Sequence, residues 1–135
     1  MQPYSGAGNS YKQQDVMTAS PGELTLRLFK GGIKNLKLFK QDVEKKDYGA
    51  ANMHSQKTQN IIVELMRSLD MRYNVAKQLL PLYTFLLDTI VNSNVKKDIE
   101  QADIAIQMLS ELQDTWQEAM SINRQEQFGS HVNTV

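Results

Sequence analysis

Two histidines, His54 and His131, are the only imidazoles in the 135-residue chain, and cysteine is absent. Without cysteine there is no thiolate nucleophile, no CxxC redox pair and no thiolate metal site, which fits a reducing compartment. A di-metal centre in a helical protein needs Glu-x-x-His pairs projecting inward from two helices, and no Glu-x-x-His occurs. The GxSxG elbow of a serine hydrolase is also missing. Gly6-Ala7-Gly8 follows no strand, and Tyr11 stands where a dinucleotide fingerprint requires its third glycine. His54 falls near the edge of an apolar helical face, where a structural role accounts for it. The expectation is therefore no enzyme, with no catalytic, cofactor-binding or metal-ligating residue. One charge pattern remains, the stripe Arg27, Lys30, Lys34 and Lys37. Like charges at i,i+4, as in Lys30 and Lys34, slightly destabilise a helix. The stripe reads either as a solvated face or as a contact for an acidic partner.

The elements that would position such residues follow from composition and periodicity. The 15 basic and 15 acidic residues cancel, so the chain has no long-range positive field to draw it to nucleic acid. No apolar run reaches the roughly 18 residues of a membrane span. The opening stretch MQPYSGAGNSYKQQ has neither the basic nor the apolar region of a secretory signal. These features predict one soluble, cytoplasmic domain, with residues 1–18 as a mobile arm, 19–121 as the folded body and 122–135 as a flexible tail.

Within the body, Ser20 as N-cap, Pro21 in the first turn and Glu23 three residues after the cap open a helix predicted over 21–46. Its apolar stripe is Leu24, Leu28, Gly32, Leu36, Phe39 and Val43, with Phe29 at the edge. Gly31-Gly32 predicts close backbone packing or a bend. Asp47 caps a second helix, to about residue 70, with Ala51, Ser55, Thr58, Ile62, Leu65, Met66 and Leu69 on one face. A third, over 74–93, carries an apolar arc spanning half its circumference and ends with Asn94 as the left-handed residue. Pro81 lies inside it, so this helix either starts late or is kinked there. Asp98 caps a fourth over 99–121, with the stripe Ala102, Ala105, Leu109, Leu112, Trp116 and Ala119. Short joints between long helices force neighbours antiparallel, giving an all-α, up-down-up-down four-helix bundle.

Some apolar residues fall outside the core stripes: Leu26 and Ile33 on the first helix, Phe85 on the third and Ile104 on the fourth. With the flank Leu80, Leu87 and Val91 of the third helix they form the expected partner-binding set. A merely wide core is the other reading of the same residues.

The ordered pieces Thr18-Ala19-Ser20-Pro21-Gly22-Glu23-Leu24-Thr25-Leu26, Leu28-Phe29-x-Gly31-x-Ile33-Lys34, Gln59-Asn60-Ile61-Ile62-x-Glu64-Leu65, Leu82-Tyr83-x-Phe85 and Asn94-Val95-Lys96-x-Asp98 stand between Tyr11 and Trp116. In that order the chain, over residues 11–121, resembles the flagellin export chaperones, the FliS family. The resemblance implies a non-catalytic antiparallel bundle, monomeric, binding the C-terminal segment of flagellin one to one. It further implies that such a protein prevents premature polymerisation in the cytoplasm and assists delivery to the export gate protein FlhA. Relatives often carry two N-terminal tyrosines three residues apart. Here Tyr4 and Tyr11 are seven apart, so Tyr11 alone carries over. Tyr11, Val16 and Met17 are the expected gate contact, or a lid over the groove when flagellin is absent. Pro81 stands where relatives usually have an ordinary helical residue. The alternative is a helical adaptor that binds another protein through the basic face of the first helix.

Overall fold

A computed structural model describes the backbone of residues 20–133 and the side chains through 123. Among the described residues four helices follow in order: α1 (Pro21–Glu44), α2 (Tyr48–Arg67), α3 (Asn74–Lys96) and α4 (Ile99–Asn133). Each packs on its sequence neighbour and α1 also packs on α4, closing an antiparallel ring.

The start of α1 is set as its residue types dictate. The Ser20 hydroxyl accepts a hydrogen bond from the Glu23 amide at 3.2 Å, with Pro21 in the first turn, where a missing N–H costs nothing. The joints α1–α2 and α3–α4 share one construction. Lys46 (φ 60°) and Lys97 (φ 53°) adopt the left-handed conformation, and the following amides, of Asp47 and Asp98, bond back to Asp42 and Ser93 carbonyls at 2.8 and 2.9 Å. Asp47 and Asp98 then cap the next helix, accepting from Ala50 and from Glu100. Each joint thus ends one helix and starts the next with a Lys-Asp pair, which holds the partners side by side.

The left-handed residue closing α3 is Lys97 rather than Asn94. Asn94 stays in the last helical turn, where its amide donates to Asn52 of α2 at 2.8 Å and its side-chain oxygen accepts from Lys97. Nor does α3 start late at Pro81: it begins at Asn74 and continues through the proline. α2 ends at Arg67, short of 70, because Asp70 instead closes the turn that leads to α3, accepting from the Arg72 amide at 3.1 Å. α4 runs past the predicted end at 121 to Asn133.

The core is built from Phe29, Leu36, Ile62, Leu65, Tyr83, Leu86, Ile90, Ala105 and Leu109. A smaller cluster of Phe39, Ala51 and Ala102 fills the end nearest the Lys-Asp joints. Burial of each large member stabilises by about 1.5–3 kcal/mol relative to exposure. Phe29, expected at the stripe edge, is central, with 1% of its surface exposed. It meets Trp116 edge to face at 6.3 Å. The glycine pair serves close packing: a Cβ at Gly32 would stand 3.2 Å from Leu109 Cδ1, and one at Gly31 3.3 Å from Ile61 Cδ1. His54 has the structural role expected of it, bridging α2 to α1 through Nδ1 and Asp42 Oδ2 at 2.5 Å.

Candidate partner-binding surface

α3 leaves the most apolar surface uncovered. Val75, Leu82, Phe85, Val91 and Val95 are all exposed, and Tyr73 just before the helix is too. A helix in a closed ring turns only part of its circumference inward, so an apolar arc of half a turn must reach solvent. Helical phase divides the rest. Leu80, Leu87 and Val91 share the flank that carries Asn94, whose bond to Asn52 identifies it as the side facing α2. Leu80 and Leu87 are half-buried, and Leu87 packs against the core. Leu82 and Phe85 project from the other flank, toward α4.

On α4, Asp103 pairs with Lys40 of α1 at 2.5 Å, which places Ile104, one position on, toward α3. Phe85 and Ile104 thus border the α3–α4 seam, each about half exposed (53% and 50%). Leu26 and Ile33 are half-buried on the side of α1 that faces α4. Ile33 lines a shallow groove of about 330 Å³ together with Lys30, Lys34, Lys37, Leu38 and Gln113. The seven expected partner residues therefore lie along three seams around the bundle, not in one groove. Tyr11, Val16 and Met17 lie outside the described residues.

A larger cleft of about 470 Å³ opens where α1 begins. α2 ends at Arg67, and the hollow between the first turn of α1, the 68–73 connection and the start of α3 is bordered by Leu24, Leu28, Leu69, Val75 and Leu79. The sequence places Leu24 and Leu28 on the core stripe of α1; Leu28 does pack against the core while also lining this hollow. The available signal was the polar joint at residues 70–74, which has no apolar residue to close that end except Met71 and Tyr73. Asp70 at the rim is held below the usual carboxylate range by the Arg72 guanidinium, which donates at 2.6–3.1 Å. Tyr83 forms part of the cleft wall with 2% of its surface exposed, and burial pushes its phenol above the usual range. Among the described residues its hydroxyl has no hydrogen-bond partner. Trp116 closes the inner side, its indole N–H donating to the Gly22 carbonyl at 2.9 Å.

This surface can bind, and its chemistry is that of apolar contact. Among the described residues no three His, Asp or Glu side chains gather to hold a metal, and no helix is long and apolar enough to cross a membrane. Residues 4–123 match the family model described as flagellar protein FliS. The chain belongs to the FliS family. It is 31% identical over 121 residues to the flagellar secretion chaperone FliS of Bacillus subtilis (strain 168), covering 90% of this chain and 91% of that one. The flagellar secretion chaperone FliS of Vibrio cholerae is 27% identical over 117 residues, 82% of this chain and 86% of the relative. A crystal structure of a bacterial flagellar chaperone shares the fold, with a TM-score of 0.70 at 22% identity over 85% of this chain and 95% of that one. FliS membership and the helical bundle therefore agree with the sequence reading.

Proposed function

We propose that this FliS-family protein is a cytoplasmic secretion chaperone that holds the C-terminal segment of flagellin, prevents its premature polymerisation and assists its delivery to the export gate protein FlhA. The protein acts by binding, without catalysis. The observation that carries this reading is the set of exposed apolar side chains on both flanks of α3, Val91 on the side of α2 and Leu82 and Phe85 on the side of α4. A chain that is disordered before assembly loses conformational entropy on binding and needs a long apolar surface in return. Residues on three seams suit an extended segment that wraps the bundle better than a folded domain that docks on one face. The cleft beside Leu24 and Val75 gives such a segment a place for an apolar anchor.

Co-purification with full-length flagellin and with flagellin lacking its C-terminal segment tests the proposal. The first is retained one to one by light scattering and the second is lost; equal retention of both overturns the reading. Leu26→Asp, Ile33→Asp and Leu87→Asp each weaken binding while helical circular dichroism is preserved. Residues 1–18, with Tyr11, Val16 and Met17, act as the gate contact or as a lid. Under the lid form, their deletion raises flagellin affinity or on-rate, and no rise in either excludes it.

A further inference from the structure

The basic stripe of α1 borders a formed groove whose apolar wall includes Ile33, one of the residues assigned above to flagellin. Lys30, Lys34 and Lys37 are exposed and surround the hollow whose apolar wall is Ile33 and Leu38, both half-buried, with Gln113 of α4 on the far side. Among the described residues none of the three has an acidic partner. Lys40, farther along the same helix, shows that α4 can supply one, since Asp103 is paired with it. Three lysines within two helical turns repel one another, and no described contact relieves that repulsion.

We propose that this groove docks an acidic amphipathic helical segment of a partner protein. Its carboxylates face Lys30, Lys34 and Lys37, and one or two apolar side chains enter beside Ile33 and Leu38. The lysines span about 10 Å along the helix axis, so carboxylates spaced three and four residues apart on an incoming helix match them. Charge complementarity selects the acidic face, and the apolar wall selects a peptide over a phosphate polymer. Among the residues lining the groove there is no aromatic ring on which a base could stack. Because the contact is polar at its rim, it responds to salt, unlike the α3 surface.

The probe is a fluorescein-labelled synthetic peptide with leucines at helical spacing flanked by glutamates, compared with a scrambled peptide of identical composition. Fluorescence anisotropy with the full chain should give about tenfold tighter binding of the amphipathic peptide, weakening by a similar factor between low salt and about 0.3 M. The triple variant Lys30→Gln/Lys34→Gln/Lys37→Gln should lose about tenfold in affinity for the peptide, while flagellin, which meets Ile33 of the same groove by apolar contact, should lose less than about twofold, so the charged rim is separated from the shared apolar wall. Equal binding of the scrambled peptide, or an unchanged affinity in the triple variant, overturns the proposal. So does displacement of the peptide by phosphatidylglycerol vesicles in the parent but not the variant, which would make the groove a lipid contact. A dimer of the parent that the same substitutions convert to monomer would assign the groove to a second copy.

Discussion

α1 and α3 occupy opposite corners of the ring and turn different chemistry outward. The outer side of α1 presents lysines around a shallow groove, whereas that of α3 presents valines, Leu82 and Phe85. Inward they are alike, with Phe29, Leu36 and Phe39 on one and Tyr83, Leu86 and Ile90 on the other, all at core spacing. The fold is thus specified by the inner stripes, while the outer faces are free to differ in which partner they suit. A charged face discriminates by complementarity and responds to ionic strength; an apolar face supplies affinity that salt leaves largely intact.

The strongest way to break this comparison is to disturb what the two helices share. Leu86→Ala removes a fully buried side chain and should cost about 2–5 kcal/mol, in one urea transition seen equally by circular dichroism and fluorescence. Two separated transitions would show that α1 and α3 do not share a core. Next comes the apolar face. Phe85→Asp should reduce affinity for the flagellin C-terminal segment by about 2 kcal/mol, roughly 30-fold, with little change between low and high salt. A loss that disappears at high salt would place the contact in the electrostatic class of α1.

Smaller effects sharpen the boundary between core and surface. Tyr83→Phe removes a buried hydroxyl that has no described partner, so stability should rise by up to about 1 kcal/mol in chemical denaturation. The same substitution tests linkage. Burial raises the folded-state pKa of Tyr83, so the unfolded state ionises first, near pH 10. The stabilisation from the neutral phenol is complete below that pH and falls as pH rises through the folded-state value. Tyr83→Phe should therefore reduce the slope of stability against pH above about 10, measured by urea midpoints. Asp103→Asn should cost the least, about 0.5 kcal/mol, and less in added salt, because its pair with Lys40 is partly exposed.

Helix number, order and most inner stripes were legible in the sequence because capping residues and 3.6-residue periodicity are local signals. Ser20, Asp47 and Asp98 all cap where their spacing indicates. The site was legible in part. Lysines declare their side of α1 by charge, so the basic stripe was readable directly. An apolar residue carries no such label: Val75 and Leu82 fell within the wide arc of α3, and only the ring geometry shows that they reach solvent. Likewise Leu24 and Leu28 match a core stripe, and their place beside an open cleft depends on where α2 stops. Asn94 had the residue type of a left-handed cap, but its hydrogen bond to Asn52 came from another helix, which no local pattern encodes.

Three of the four seams join helices consecutive in the chain, and the fourth brings the start of α1 against α4. The Trp116–Gly22 bond crosses that last seam, between residues 94 positions apart. Closing it carries the largest loop entropy, so it is the step that consecutive hairpins leave until late in folding. Trp116 is also the chain's only tryptophan. Its emission is consequently a built-in optical gauge of ring closure, separable in a stopped-flow trace from the far-ultraviolet signal of helix formation.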